Sequence, residues 1–163
     1  MSIELREIVA EDKEFLFAVY ASTRADEMQL LDWQAAQKET FLRMQFNAQH
    51  KYYTENYPGA NFQVILMDNQ PVGRLYTHRR ENEIRIMDIA LLPENRGRGI
   101  GSILLKKILA EAAMLNQTVT LHVERYNPAL LFYERLGFCL VDDKGVYYFM
   151  KWLPEAVGEQ ADA

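Results

Sequence analysis

Hydrophobic and polar positions change period along this chain, and each change marks an element. Ile3 and Leu5 alternate with Glu4 and Arg6, the period-2 pattern of a half-buried strand over Ile3 to Val9. From Asp12 to about Arg24, Phe15, Leu16, Val19 and Tyr20 fall at helical spacing. A second helix is predicted from about Asp32 to His50, with Trp33, Phe41, Met44 and Ala48 near one face. Tyr52, Tyr53, Tyr57 and Pro58-Gly59 then mark an aromatic turn. Asn61 to Met67 and Pro71 to Thr77 read as strands around Asp68-Asn69-Gln70, a hairpin turn. A third strand runs from Glu83 to Leu92.

Pro93 ends that strand, and Gly97, Gly99 and Gly101 follow it. Ser102 to Leu115 reads as an amphipathic helix, with Ile103, Leu104, Ile108, Ala112 and Leu115 inward. Thr118 to Val123 is a strand. Pro128 opens a short helix to Leu136, and Gly137 suits its left-handed cap. Phe138 to Val141 and Val146 to Trp152 are the last two strands. The order is one strand, two helices, three strands, a helix, a strand, a helix and two strands. It predicts an α/β fold with a mixed sheet of about seven strands and four helices. Residues 1–153 are expected to form one domain, and 154–163, which lack periodicity, a flexible tail.

Composition narrows the function classes. The chain has 163 residues, 49% hydrophobic and 25% charged, which suits a folded domain and not a disordered segment. Eighteen Lys and Arg against 23 Asp and Glu give a net charge of −5. Such a chain has no field to attract nucleic acid or an anionic membrane. A single cysteine, Cys139, excludes an internal disulfide framework and a multi-cysteine zinc site. Inside Phe138-Cys139-Leu140-Val141 it reads as core filler, and no metal is expected. The amino terminus carries charges where a signal peptide needs apolar residues, and no apolar run approaches the ~18 residues of a membrane span. A cytoplasmic protein is expected.

The strongest chemical signal is the glycine turn Arg96-Gly97-Arg98-Gly99-Ile100-Gly101 between a strand and a helix. Glycines let a backbone approach a ligand closely, and the following helix adds unpaired N–H groups and a positive dipole end. That combination suits a phosphate or pyrophosphate. A P-loop needs Gly-Lys-Ser/Thr where this chain has Gly101-Ser102-Ile103, so it is excluded. A dinucleotide fingerprint fits poorly, because Ser102 takes its last glycine position and no second βαβ half follows.

The run from Ile86 to Ser102, IMDIALLPENRGRGIGS, resembles the acetyl-CoA-binding signature of the GNAT superfamily of N-acyltransferases. Its core, Arg/Gln-x-x-Gly-x-Gly/Ala, is matched by Arg96, Gly99 and Gly101. A second signature of that family is matched by VERYNPALLFYERLGF, Val123 to Phe138, and the element order is similar from about Ile3 to Leu153. The resemblance implies an N-acetyltransferase that uses acetyl-CoA and passes its acetyl group to a small-molecule or peptide amine. It implies that the diphosphate meets the N–H groups of Gly97, Arg98, Gly99, Ile100, Gly101 and Ser102, with Arg96 and Arg98 as counter-charges. The cofactor arm would pair with the backbone of Ile89, Ala90 and Leu91, on a strand that splays at a bulge. Asn127 matches the residue that orients that arm. Arg135 and Lys106 or Lys107 are exposed helix charges that could meet the 3′-phosphate.

Tyr133 matches the family's proton donor to the departing thiolate, although its neighbours also suit a core aromatic. An alkyl ammonium of pKa ~10.4 is neutral in only about one molecule in 2,500 at pH 7, so the amine needs a proton acceptor. Asp88, His122 and Glu124 are the candidates, and a histidine at 122 stands where some members carry a carboxylate. By the same resemblance, acceptor choice falls to Ala25–Trp33, which is acidic and apolar together, and to the last hairpin. Family members that pair through a strand edge leave a homodimer open. Two other readings stand beside the transferase: a non-catalytic acyl-CoA sensor and a dinucleotide-binding enzyme.

Overall fold

The computed structural model describes residues 1–155. Most of the tail expected at 154–163 lies outside the described residues. Among the described residues, seven strands form a sheet in the order β1 (Ile3–Glu7), β2 (Asn61–Met67), β3 (Gln70–Arg79), β4 (Glu83–Leu91), β5 (Thr118–Glu124), β7 (Tyr147–Trp152) and β6 (Cys139–Asp143). The chain divides into two compact units, Met1–Tyr76 with Asp88–Ile100, and Thr77–Met87 with the chain from Gly101 onward. No helix among the described residues is long and apolar enough to cross a membrane.

In the first unit, β1 (Ile3–Glu7) pairs antiparallel with β2 (Asn61–Met67), from Ile3↔Met67 to Glu7↔Gln63. Between β2 and β3 (Gln70–Arg79), Asp68 and Asn69 take φ of 50° and 67°, the left-handed pair that a tight hairpin demands. A 3-10 turn, Ala10–Asp12, leads into α1 (Lys13–Thr23). Asp12 anchors the entry: its carboxylate accepts Arg6 Nη1 and Nη2 at 2.8 and 2.8 Å and Val9 N at 2.8 Å. The Arg6 hydrogen bonds hold that carboxyl below its usual range.

Helices α2 (Ala25–Gln29) and α3 (Ala35–Asn56) complete this unit. Its core joins Leu16, Phe17, Tyr20, Met28, Leu42, Phe46 and Val64. The face expected to be buried on the second helix is not the one that packs inward. Met44 and Ala48 are exposed, Trp33 precedes the helix, and Leu42 and Phe46, four apart, turn inward instead. Trp33 covers Phe41 edge-on at 5.3 Å, a contact at the surface. The helix also runs past His50, because no breaker occurs before Pro58. Tyr52 and Tyr53 are therefore helical, not part of a turn.

Strand β4 (Glu83–Leu91) belongs to the second unit only as far as Met87, and there it runs parallel to β5 (Thr118–Glu124) over Glu83↔Thr118 to Ile86↔Leu121. Strand β7 (Tyr147–Trp152) pairs antiparallel with β5, from Val119↔Trp152 to Glu124↔Tyr147, and β6 (Cys139–Asp143) lies outside β7. Helix α4 (Ile100–Leu115) buries Ile100, Leu104, Leu105, Ile108, Leu109 and Ala112. Leu115, expected inward, is 58% exposed, because the helix ends beside it and Asn116 turns left-handed. Helix α5 (Ala129–Arg135) ends with Gly137 at φ 103°, as its sequence requires. Cys139 is not core filler: all five residues of β6 are exposed, since this strand is the sheet's edge.

Candidate active site

In the first unit, β4 ends at Leu91 and a 3-10 turn, Pro93–Asn95, feeds the glycine turn. Gly97 and Gly99 take φ of 74° and 83°, conformations that cost an L-residue about 1–2 kcal/mol. A methyl group at Gly97, Gly99 or Gly101 would meet no atom within 4 Å. The turn is therefore shaped around open space, not around a packing neighbour. Helix α4 starts at Ile100, so its unpaired first-turn amides and dipole follow directly. Gly101 and Ser102 are half-buried there, and Arg98 is exposed. These residues fit a diphosphate. The guanidinium of Arg96 is turned back: Nε donates to Leu91 O at 3.0 Å and Nη2 to Ser22 Oγ at 3.4 Å. It braces the strand end that Ile89, Ala90 and Leu91, all half-buried, belong to.

Asp88 on β4 forms an ion pair with Arg74 on β3, whose side chain is 3% exposed against 20% for the aspartate. Arg74 Nη2 also donates to Gln49 Oε1 on α3 at 2.9 Å, and its guanidinium lies 4.9 Å from the Tyr76 ring centroid and 5.8 Å from Tyr20's. Nε of Arg74 is buried with no acceptor among the described residues. Burial pushes the phenols of Tyr53 and Tyr76 up, with Asp88 adding to both. Asp88 is thus already held by a buried cation. Sequence reasoning missed Arg74, although a charge in the middle of an apolar strand was itself a signal.

In the second unit, His122 projects outward between buried Leu121 and Val123 of β5. Its ring meets Phe149, its register partner on β7, at 5.0 Å and 39°. Arg85 Nε donates to Thr120 Oγ1 at 2.7 Å, and Thr120 donates to Glu83 Oε2 at 2.6 Å. Arg85 and Lys144 lie 5.5 and 5.9 Å from the Phe149 centroid. Burial pushes the His122 imidazole down, and those two cations push the same way. At neutral pH the ring is therefore biased toward its proton-accepting form. Glu124 is half-buried opposite Tyr147.

Tyr133 on α5 is 8% exposed, with Phe132 and Phe138 rings at 5.6 and 5.8 Å. It packs as a core aromatic does, and it also carries a titratable hydroxyl. Asn127 is exposed and caps α5: its Oδ1 accepts Ala129 N at 2.8 Å. Lys106, Lys107 and Arg135 are exposed.

A family model described as acetyltransferase (GNAT) domain matches residues 58–139, half of the chain. The [ribosomal protein bS18]-alanine N-acetyltransferase of Haemophilus influenzae is 33% identical over 85 residues, 52% of this chain. The chain spans 58% of the length of that curated relative. The PaiA N-acetyltransferase of Thermoplasma acidophilum, solved in complex with coenzyme A, shares the fold with a TM-score of 0.69 at 23% identity, over 94% of this chain and 99% of that one. The ribosomal-protein-S18-alanine N-acetyltransferase of Escherichia coli does so with 0.64 at 16% identity, over 97% of both chains. The matched family segment contains the whole glycine turn, Asp88, His122 and Tyr133, and on that match the chain belongs to the GNAT family of acetyltransferases.

Proposed function

We propose that residues 1–153 act as one catalytic domain that moves an acetyl group from acetyl-CoA to a primary amine, by direct attack in a ternary complex. The observation that carries this reading is the glycine turn, whose open side would accept a diphosphate at the start of α4. Acetyl-CoA, when bound, supplies the activated thioester. The N–H groups of Gly97, Arg98, Gly99, Ile100, Gly101 and Ser102 hold its diphosphate, and the backbone of Ile89, Ala90 and Leu91 holds its arm.

His122 takes the proton of the attacking amine, a role supported by its lowered pKa and the fixed cation at Arg85. The Asp88 carboxylate orients the ammonium form of the acceptor, with Arg74 fixing the carboxylate in turn. Tyr133 hydrogen-bonds the departing sulfur. Free thiol and phenol pKa values of ~8.5 and ~10 mean that stabilising the developing thiolate serves nearly as well as full proton transfer. Cys139, exposed on the edge strand, has no part in this scheme.

The names of the ribosomal-protein relatives favour a peptide α-amine as the first acceptor to try. Calorimetry with acetyl-CoA and with NAD separates the cofactor classes. Thiol release with small amines and with peptides beginning in alanine then separates an enzyme from a sensor. An absence of heat with acetyl-CoA would end the proposal.

A further inference from the structure

Strand β4 carries one residue more than β3 can pair. Arg80 N donates to Glu83 O at 2.8 Å near the hairpin end, and Leu92 N donates to Val72 O at 2.9 Å at the other. From Val72 to Arg80 is eight steps and from Glu83 to Leu92 is nine. An antiparallel ladder pairs residues one for one, so β4 must bulge between these bonds. The position of the bulge is legible at Gly73, which is buried on β3. A methyl group there would overlap the Ala90 carbonyl oxygen and stand 2.9 Å from Leu91 Cδ2 and 3.0 Å from Leu91 Cα. Side chains leave a sheet perpendicular to its plane, whereas ladder carbonyls lie in it. An oxygen occupying the place of a side chain has therefore tipped out of the plane.

We propose that Gly73 is a positioning residue for acyl-CoA. Its missing side chain gives the Ala90 carbonyl room to tilt, and that tilt sets the Ile89–Leu91 backbone in the arrangement that receives the cofactor arm. The inference rests on the acetyl-CoA reading above. Strand β3, which holds none of the expected cofactor contacts, thereby dictates cofactor affinity.

The test is calorimetric titration of acetyl-CoA into wild type, Gly73→Ala and Leu92→Pro. Leu92 has a φ of −57°, which proline adopts without strain, so the second variant removes the N–H that closes the bulge, together with the half-buried leucine side chain. Both variants are expected to weaken acetyl-CoA by at least about tenfold and to raise its KM while the amine KM holds. Leu42→Ala, which thins the core of the same unit, should lower the melting temperature and leave acetyl-CoA affinity unchanged. If Gly73→Ala does not fold, Leu92→Pro decides the matter. Either folded variant binding within twofold of wild type overturns the role of Gly73 and leaves the acetyl-CoA reading intact. Wild type that binds no acetyl-CoA overturns that reading, and this one with it.

Discussion

Replacing Gly99 by alanine separates the cost to the fold from the cost to the ligand. The φ of 83° makes an L-residue unfavourable by about 1–2 kcal/mol. Nothing stands within 4 Å of the new methyl group, so no packing penalty is added. For a domain of this size, that lowers the melting temperature by about 2–8 °C. The same methyl group would project into the space assigned to the diphosphate. Losing two backbone hydrogen bonds to a charged group, each about 1.5–3 kcal/mol, weakens binding by roughly 10²–10⁴-fold. Differential scanning calorimetry of the free variant gives the first quantity. Isothermal titration with acetyl-CoA, well below the melting point, gives the second. A variant that melts a few degrees lower yet binds acetyl-CoA like wild type would show that the open side of this turn holds no phosphate.

Tyr133→Phe should lower kcat by about 10²–10⁴ and keep the acetyl-CoA Kd, as measured by steady-state kinetics and titration together. Because burial and two cations lower the His122 pKa, the acid limb of kcat/KM should fall below pH ~6.5, and Arg85→Gln should move it upward toward that value. The same group binds protons more readily when unfolded, so folding stability falls as pH drops below ~6.5. In the Arg74–Asp88 pair the arginine is the deeper partner. Asp88→Ala strands that cation and should cost about 3–5 kcal/mol in denaturant unfolding, more than Arg74→Met, which leaves the better solvated carboxylate. Asp12→Asn breaks charge-assisted hydrogen bonds from Arg6 and should cost about 1.5–3 kcal/mol, less at a pH low enough to protonate the aspartate.

Local signals determined much of this protein from sequence alone. The strands, the Asp68-Asn69 turn, the Gly137 cap and the glycine turn before α4 depend on residues adjacent in the chain, where period and left-handed propensity act directly. Two family signatures were equally legible, because each is a continuous run. Which apolar residues are buried was a tertiary matter. Of the Trp33, Phe41 and Met44 stripe only half-buried Phe41 packs against the core, whereas Leu42 and Phe46 met Leu16, Phe17 and Tyr20, because helix phase is set by what packs against it. Cys139 is exposed only because β6 takes the sheet's edge, a fact about strand order. The pairing of Arg74 with Asp88, fourteen residues apart, and the fit of the Ala90 carbonyl above Gly73 came from neighbouring strands brought side by side. A sequence states each residue's chemistry, whereas the charge, bulge and basicity that chemistry acquires depend on neighbours that only the folded sheet supplies.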